Sequence, residues 1–117
     1  MNYVRLYVDD RGESHLEDVP IPAAAGGTQR GIADMIPAQG IVFRTGKVGD
    51  VIDWHTAPRR QILVNLRGEW EIEASDGDKR RIGPGVPLLV EDLTGKGHVT
   101  RTVGTVDRVT MIVPLAE

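Results

Sequence analysis

A strict alternation of polar and apolar side chains limits the fold of this chain more than any other feature of its sequence. From Glu69 to Ala74 the chain reads E-W-E-I-E-A, with Trp70, Ile72 and Ala74 in phase and three glutamates between them. Side chains alternate between the two faces of a strand, so this period of two is typical of a half-buried antiparallel strand. The segment therefore predicts a β-sheet with one apolar face.

Short segments of the same kind recur along most of the chain. They are separated by turn signals, of which the pair Asp76-Gly77 is the clearest, and no credible helix longer than a turn or two interrupts them. This pattern predicts an all-β barrel or sandwich. The predicted strands cover residues 3–8, 14–19, 41–44, 61–66, 69–74, 79–82, 87–90, 99–103 and 108–113.

The length of 117 residues is enough for a core of its own, so residues 1–117 are predicted to be a single domain. Residues 1–20 would form N-terminal strands and residues 40–115 the main barrel. Between them, residues 20–40 contain three prolines and four glycines without a sustained period, which predicts a long loop. Two interpretations of this loop stay open, a lid over a site and a flexible surface excursion.

The composition excludes several classes of protein and site. A formal net charge of −3 gives no general basic field, so nucleic acid is not an expected partner. The chain has no cysteine, which excludes disulfides, zinc–thiolate sites and thiol nucleophiles. The N-terminus lacks an apolar signal core, and no apolar run approaches the roughly 18 residues that cross a bilayer. We therefore expect a cytoplasmic protein without a membrane partner.

Two segments place histidines at a defined spacing. In the first, Gly49 stands six residues before His55, Gln61 follows six residues after it, and Gly68 comes seven residues later. In the second, the sequence T-G-K-G-H ends at His98, thirty residues downstream of Gly68. The arrangement resembles the cupin family, whose first motif reads G-x5-H-x-H-x3-E-x6-G and whose second motif supplies one more histidine.

The resemblance covers residues 40–115 and implies a double-stranded β-helix, the jelly-roll barrel of cupins. Typical cupins hold a metal with the two histidines and the glutamate of the first motif and the histidine of the second. Here Ala57 replaces the second histidine and Gln61 replaces the glutamate. The resemblance also implies an N-terminal edge strand that serves dimer formation, so a homodimer is expected.

Metal binding remains open on the sequence alone. His55, His98 and Gln61 are the possible ligands, but an amide carries no charge, and common divalent sites prefer carboxylate or thiolate ligands. Asp53 shares its phase with His55 and is the best replacement for the lost carboxylate. The sequence therefore predicts either no cofactor or a weakly bound divalent metal.

The same residues can also act without a metal. We predict that His55 and His98 point into one cavity and serve as general acid and general base. Gln61 would donate a hydrogen bond to a carbonyl or enolate oxygen, and Asn65 would share its face of the strand. A few polar groups in an apolar wall are typical of a small-molecule site.

Additional substrate-binding residues are predicted around this centre, namely Asn65, Trp54, Arg60, Trp70 and Lys96. Trp54 would stack on a ligand or, alternatively, pack between the sheets. Arg60 would hold an anionic group at the rim, and the alternative is a solvated turn after Pro58. Lys96 lies between two glycines in a loop that can approach a ligand closely. The neighbouring acids Glu91 and Asp92 would replace the lost carboxylate if they point inward, and the alternative is a surface ion pair with Lys96 or an arginine.

These features predict a protein that binds a small molecule. The first hypothesis is a lyase, isomerase or cyclase that uses acid–base chemistry on a small carbonyl-containing metabolite. The alternative is a non-catalytic ligand-binding or sensor module that lost its metal. His15 has no motif context and is expected at the surface or in an interface.

Overall fold

The computed structural model describes residues 1–21 and 35–116, which contain strands and turns but no helix. The all-β prediction is confirmed. None of these described residues lies in a helix able to span a membrane. The strands are β1 (Asn2–Val8), β2 (Ser14–Pro20), β3 (Val42–Gly46), β4 (Val51–His55), β5 (Gln61–Arg67), β6 (Glu69–Ala74), β7 (Lys79–Ile82), β8 (Leu88–Val90), β9 (His98–Val103) and β10 (Arg108–Pro114).

The strands form two sheets that face each other. The larger sheet has the order β2-β1-β8-β5-β10-β3, and the smaller has the order β4-β9-β6-β7. Neighbouring strands are antiparallel except for the pair of β1 and β8. Both sheets contribute to one apolar core, with Leu6 and Leu88 from the larger sheet and Ile72 and Ile82 from the smaller one.

The alternation on β6 has the predicted effect. Trp70, Ile72 and Ala74 are buried between the sheets, with exposed fractions of 3%, 1% and 0%. On the opposite face, Arg101 donates hydrogen bonds to Glu71 and Glu73. The same rule turns Gln61 and Asn65 of β5 inward, because residues two and four apart on a strand share a face. These two strands supply much of the inner wall of the barrel.

The structure differs from the sequence prediction at β4. The strand β4 was not predicted, because four of its five residues are exposed and its pairing with β9 shifts between Ile52 and His55, so it has no regular apolar face. The predicted loop or lid over residues 20–40 falls largely on residues 22–34, which lie outside the described part of the chain. The expected homodimer stays a prediction.

The N-terminal hairpin is fixed to the β6–β7 turn by polar side chains. His15 faces two carboxylates, with Nε2 at 2.7 Å from Asp9 Oδ2 and Nδ1 at 2.7 Å from Asp76 Oδ2. Ser14 adds a bond from its backbone nitrogen to Ser75 Oγ at 2.7 Å. Because a carboxylate only accepts hydrogen bonds, His15 satisfies both partners when both of its ring nitrogens carry protons. The hydrogen bond to Asp9, followed by that to Asp76, raises the pKa of His15.

This arrangement predicts a pH-dependent part of the stability. A raised pKa in the folded state stabilises the fold fully below the unfolded-state value of about 6.5, and this stabilisation is lost as the pH rises through the folded-state value. We expect the free energy of unfolding of the wild type to fall as the pH rises from the unfolded-state pKa to the folded-state pKa of His15. In His15→Gln it should fall less. Urea unfolding between about pH 5.5 and about pH 8.5 measures the difference, and parallel curves would contradict the assignment.

Candidate functional site

A cavity of about 340 Å³, here called the inner cavity, lies between the two sheets. Its wall is mainly apolar, with Leu63 and Leu88 from the larger sheet and Ile72 from the smaller one. The polar groups in the wall are His55, Gln61, His98, Thr100, Arg44, Arg59 and Arg108. This volume and this mixture of groups are usual for a site that binds a small molecule.

The two predicted histidines lie side by side in this wall. His55 ends β4 and His98 begins β9, and the ladder between these strands makes them direct partners. Their ring centroids are 4.3 Å apart and the ring planes are inclined by 52°. His98 is only 5% exposed, while His55 is partly exposed. The structure therefore brings together two motifs that are more than forty residues apart in sequence.

Each imidazole is oriented through its Nδ1 atom. His55 Nδ1 lies 2.8 Å from the backbone oxygen of Asp53, and His98 Nδ1 lies 2.5 Å from Asp92 Oδ2. A carbonyl oxygen and a carboxylate both accept, so each Nδ1 carries the proton. This leaves Nε2 of each ring as the nitrogen that can exchange a proton with a ligand.

Asp92 belongs to this site, which was one of the two alternatives that the sequence left open for it. Instead of pairing at the surface, its carboxylate is completely buried, with Oδ2 on His98 and Oδ1 without a hydrogen-bond partner in the described structure. Its neighbour Glu91 takes the surface role and accepts hydrogen bonds from Arg5 and Arg60. The six-residue spacing between Asp92 and His98 across a glycine-rich turn was the available signal.

Gln61 and Trp70 are the other predicted site residues that line the inner cavity. Gln61 is 8% exposed, and its Oε1 accepts a hydrogen bond from Arg59 Nε at 3.4 Å. Since the amide oxygen is engaged, its NH₂ group is the part that is available to a ligand. Asn65, which was also predicted to bind substrate, does not line the cavity: it is fully buried, and its Oδ1 accepts from Thr110 Oγ1 at 2.7 Å.

Three predicted substrate-binding residues lie away from the inner cavity. Trp54 is 49% exposed because it belongs to an edge strand, so it neither lines the cavity nor packs between the sheets. Arg60 lies one residue before Gln61 and points the other way, with Nε 2.7 Å from Glu91 Oε2. Lys96 is exposed and forms an ion pair with Glu13 at 2.5 Å.

Arg108 is a cavity residue that sequence reasoning missed. It is 7% exposed, and its Cζ atom lies 4.7 Å from the ring centroid of Trp70. Burial lowers the pKa of this guanidinium, which nevertheless stays charged because arginine is not deprotonated in proteins. Its phase with Thr110 and Ile112 on β10 was the signal, since these alternate residues share the inner face.

The chain matches no known family model and no curated protein sequence. Its structure is similar to that of a cupin domain from Bordetella pertussis Tohama I, with a TM-score of 0.51 and 16% identity over 85% of this chain and 99% of that chain. It is also similar to protein NMB1881 from Neisseria meningitidis, with a TM-score of 0.51 and 20% identity over 71% of this chain and 81% of that chain. The chain has the cupin fold.

The cupin fold raises the question of a resident metal, and the residues present do not fit one. His55 and His98 offer two neutral nitrogens, but the oxygen of Gln61 is already bonded to the cationic Arg59. The side chain of Asp53 turns to its own backbone and accepts from the nitrogen of Trp54 at 2.9 Å. Within residues 1–21 and 35–116, no three His, Cys, Asp or Glu side chains are grouped as metal ligands.

The close approach of the two histidine segments depends on Gly97. This glycine has a φ of +75°, and a Cβ atom on it would overlap the backbone oxygen of His55. Gly85 has a similar φ of +82° but no atom within 4 Å of the corresponding position. The two glycines therefore share the backbone requirement and differ in the space around them.

We predict that Gly97→Ala destabilises the protein by at least about 2 kcal/mol more than the matched control Gly85→Ala. Both variants carry the cost of a left-handed alanine, which is about 1 kcal/mol, and only the first forces the loop away from β4. Urea unfolding of both variants gives the difference. Equal losses would mean that the loop and β4 are not in close contact.

Proposed function

We propose that this cupin binds a small carbonyl-containing metabolite and acts on it by acid–base chemistry, as a lyase, isomerase or cyclase does. The observation that carries the proposal is the series formed by the buried Asp92 and His98 and the partly exposed His55 at the wall of the inner cavity. A buried carboxylate with an unpartnered oxygen costs stability, and an imidazole that becomes cationic beside it offsets that cost. Such a cost is expected where it serves chemistry.

His98 is the general base in this proposal. Its Nε2 takes a proton from the carbon next to the substrate carbonyl, and the electron pair of the broken C–H bond moves into the enolate. Asp92 keeps the other proton on Nδ1 and stabilises the imidazolium that forms, because its negative charge lies against that nitrogen. Burial of this pair strengthens the interaction by excluding water.

His55 supplies the acid of the same reaction. Its ring lies 4.3 Å from that of His98, centroid to centroid, so both imidazoles can reach one substrate. For the acid role, Nε2 of His55 carries a proton in addition to the one on Nδ1. His55 then returns a proton to the substrate after His98 has removed one, while Gln61 donates from its NH₂ group to the enolate oxygen.

Exchange of carbon-bound protons for deuterium tests this chemistry before the product is known. In D₂O, we expect the wild-type protein to accelerate loss of the proton signal next to the carbonyl of 2-oxopentanoate or of the neutral ketone 2-pentanone, measured by ¹H NMR. His98→Ala and His55→Ala should reduce the rate to that of buffer. His15→Ala, which changes the surface hairpin only, should leave it unchanged.

A matched pair of aspartates refines the test. Asp92→Asn can donate to His98 Nδ1, which moves the imidazole proton to Nε2 and removes the base, so the exchange rate should fall by about 10²- to 10⁴-fold. Asp53→Asn should have little effect, because His55 contacts the backbone oxygen of this residue and not its carboxylate. ¹⁵N NMR of the imidazole nitrogens reads the tautomer directly. Equal rates in these two variants would refute the role of Asp92.

The alternative function, a ligand-binding or sensor module, gives a different outcome. Binding of a carbonyl compound without any acceleration of exchange, in the presence of folded wild-type protein, would favour it. The mainly apolar wall of the inner cavity serves binding equally well in both cases.

We also propose that metal is at most weakly bound and takes no part in the reaction. Protein prepared without added metal should contain well under one equivalent by elemental analysis. Restoring the cupin ligands with Ala57→His and Gln61→Glu should raise the affinity for Ni²⁺ or Zn²⁺ by about 10²-fold or more, because both positions line the inner cavity. Tight stoichiometric metal in the unaltered protein would contradict the proposal.

A further inference from the structure

Arg108 is a buried cation that forms no ion pair within the described residues. Its Nε donates to Thr102 Oγ1 at 3.3 Å and its Nη1 donates to Thr110 Oγ1. A guanidinium has five N–H groups, and these bonds use two of them. Within the described ranges, the other three have no side-chain or backbone acceptor, and no acid forms an ion pair with the group. Burial disfavours this charge more than the nearby carboxylate of Asp50 favours it, so an anion that reaches the guanidinium would be bound strongly.

The cross-strand neighbour of Arg108 makes room for the guanidinium. Arg108 pairs directly with Gly46 of β3, where a Cβ atom would overlap Nη2 and lie 3.0 Å from Cζ. Gly46 is not among the glycines with positive φ, so space and not backbone conformation accounts for this residue. The side chain is therefore held by Trp70 on one side and by a residue without a side chain on the other.

The charge of the surrounding walls decides on which side the anion binds. Arg108 lines the inner cavity and also a larger, more open cavity of about 690 Å³, here called the outer cavity. The wall of the outer cavity contains Asp50 and Asp107, which offset its cations. Among the described residues that line the inner cavity, Arg44 and Arg59 add to Arg108 and no carboxylate is present. The inner cavity is thus the side that attracts an anion, although it is the smaller one.

The indole nitrogen of Trp70 is a second buried donor at this wall without a partner in the described structure. It is completely enclosed, so a ligand cannot reach it without a movement of the wall. Arg108 faces the cavity directly. We therefore assign the ligand contact to the guanidinium, with the indole ring as the surface that supports it.

We propose that the inner cavity binds a small carboxylic acid, whose carboxylate lies on Arg108 while its carbonyl end lies beside His55 and His98. The carboxylate end follows from Arg108, and the carbonyl end rests on the proposed function. On β9, Thr102 contacts Arg108 and lies four residues from His98. Four residues span about 13 Å along a strand. The side chains of Arg108 and His98 extend into the cavity, so the gap between their polar ends is shorter than this. A short carbon chain can span the remaining gap past Thr100.

Isothermal titration calorimetry with 5-oxohexanoate and its neutral amide, 5-oxohexanamide, in which a short carbon chain separates the ketone from the acid or amide group, tests this assignment. We expect the wild-type protein to bind the acid about tenfold or more tightly than the amide. Arg108→Met should weaken binding of the acid about 30-fold or more and abolish the preference. Arg67→Met is the matched control, because Arg67 lines the outer cavity and not the inner one, and it should keep the preference.

A second variant covers the possibility that Arg108→Met does not fold. Gly46→Ala keeps the charge but displaces the guanidinium, so the preference for the acid should decrease although circular dichroism stays that of the wild type. An unchanged preference in folded Gly46→Ala or Arg108→Met would overturn the proposal. Equal binding of acid and amide by the wild type, or no binding of either at millimolar concentration, would also overturn it.

Failure of this inference is distinguishable from failure of the acid–base chemistry. His98→Ala should keep the preference for the acid while it loses deuterium exchange, and loss of the preference in this variant would contradict the assignment to Arg108. If the wild type prefers the acid but catalyses no exchange, the anion site stands and the acid–base proposal fails. If 2-pentanone exchanges rapidly while acid and amide bind equally, the acid–base proposal stands and the anion site fails.

Discussion

The hydrogen bond between Asp92 and His98 is the interaction on which the site depends. A fully buried carboxylate is tolerated only against a strong donor, because removing an ionised group from water costs several kcal/mol. The same turn is connected to β4 at two more points, since the backbone oxygen of Asp92 accepts from the nitrogen of Ala57 at 3.0 Å and Gly97 packs on the backbone of His55. The loop, the end of β4 and the start of β9 therefore form one unit, and the position of each histidine is determined by it.

The sequence allowed most strands and the two central histidines to be predicted, because both depend on local information. The alternation around Trp70 requires only a period of two, and the spacing of His55 and Gln61 lies within one motif. Which of Glu91 and Asp92 turns inward depends instead on how the chain leaves β8 and meets Arg5 and Arg60.

The burial of Arg108 depends on a non-local pair in the same way. The alternation on β10 indicates the face of Arg108, but the space for its side chain exists because Gly46 is its partner across the sheet, and this pairing over more than sixty positions is not visible in a local pattern. Trp54 is the reverse case, because this aromatic side chain is exposed and not buried. An aromatic side chain in a β-rich sequence is usually buried, but β4 is an edge strand with a shifted register, so the general rule does not hold there.

The differences from the usual cupin ligand set act together on the charge of the barrel interior. A histidine and a glutamate at positions 57 and 61 would favour a cation, whereas Ala57 and Gln61 remove the negative charge. At the same time, Arg59 engages the amide oxygen of Gln61 and Arg108 faces the cavity without a carboxylate partner in the described structure. A ligand that enters this wall meets guanidinium and imidazole groups in a water-poor environment, where a negative charge gains most. The cupin fold is thus retained with a cavity wall that carries cationic and no acidic side chains among the described residues, which is the charge that the proposed carboxylic acid would complement.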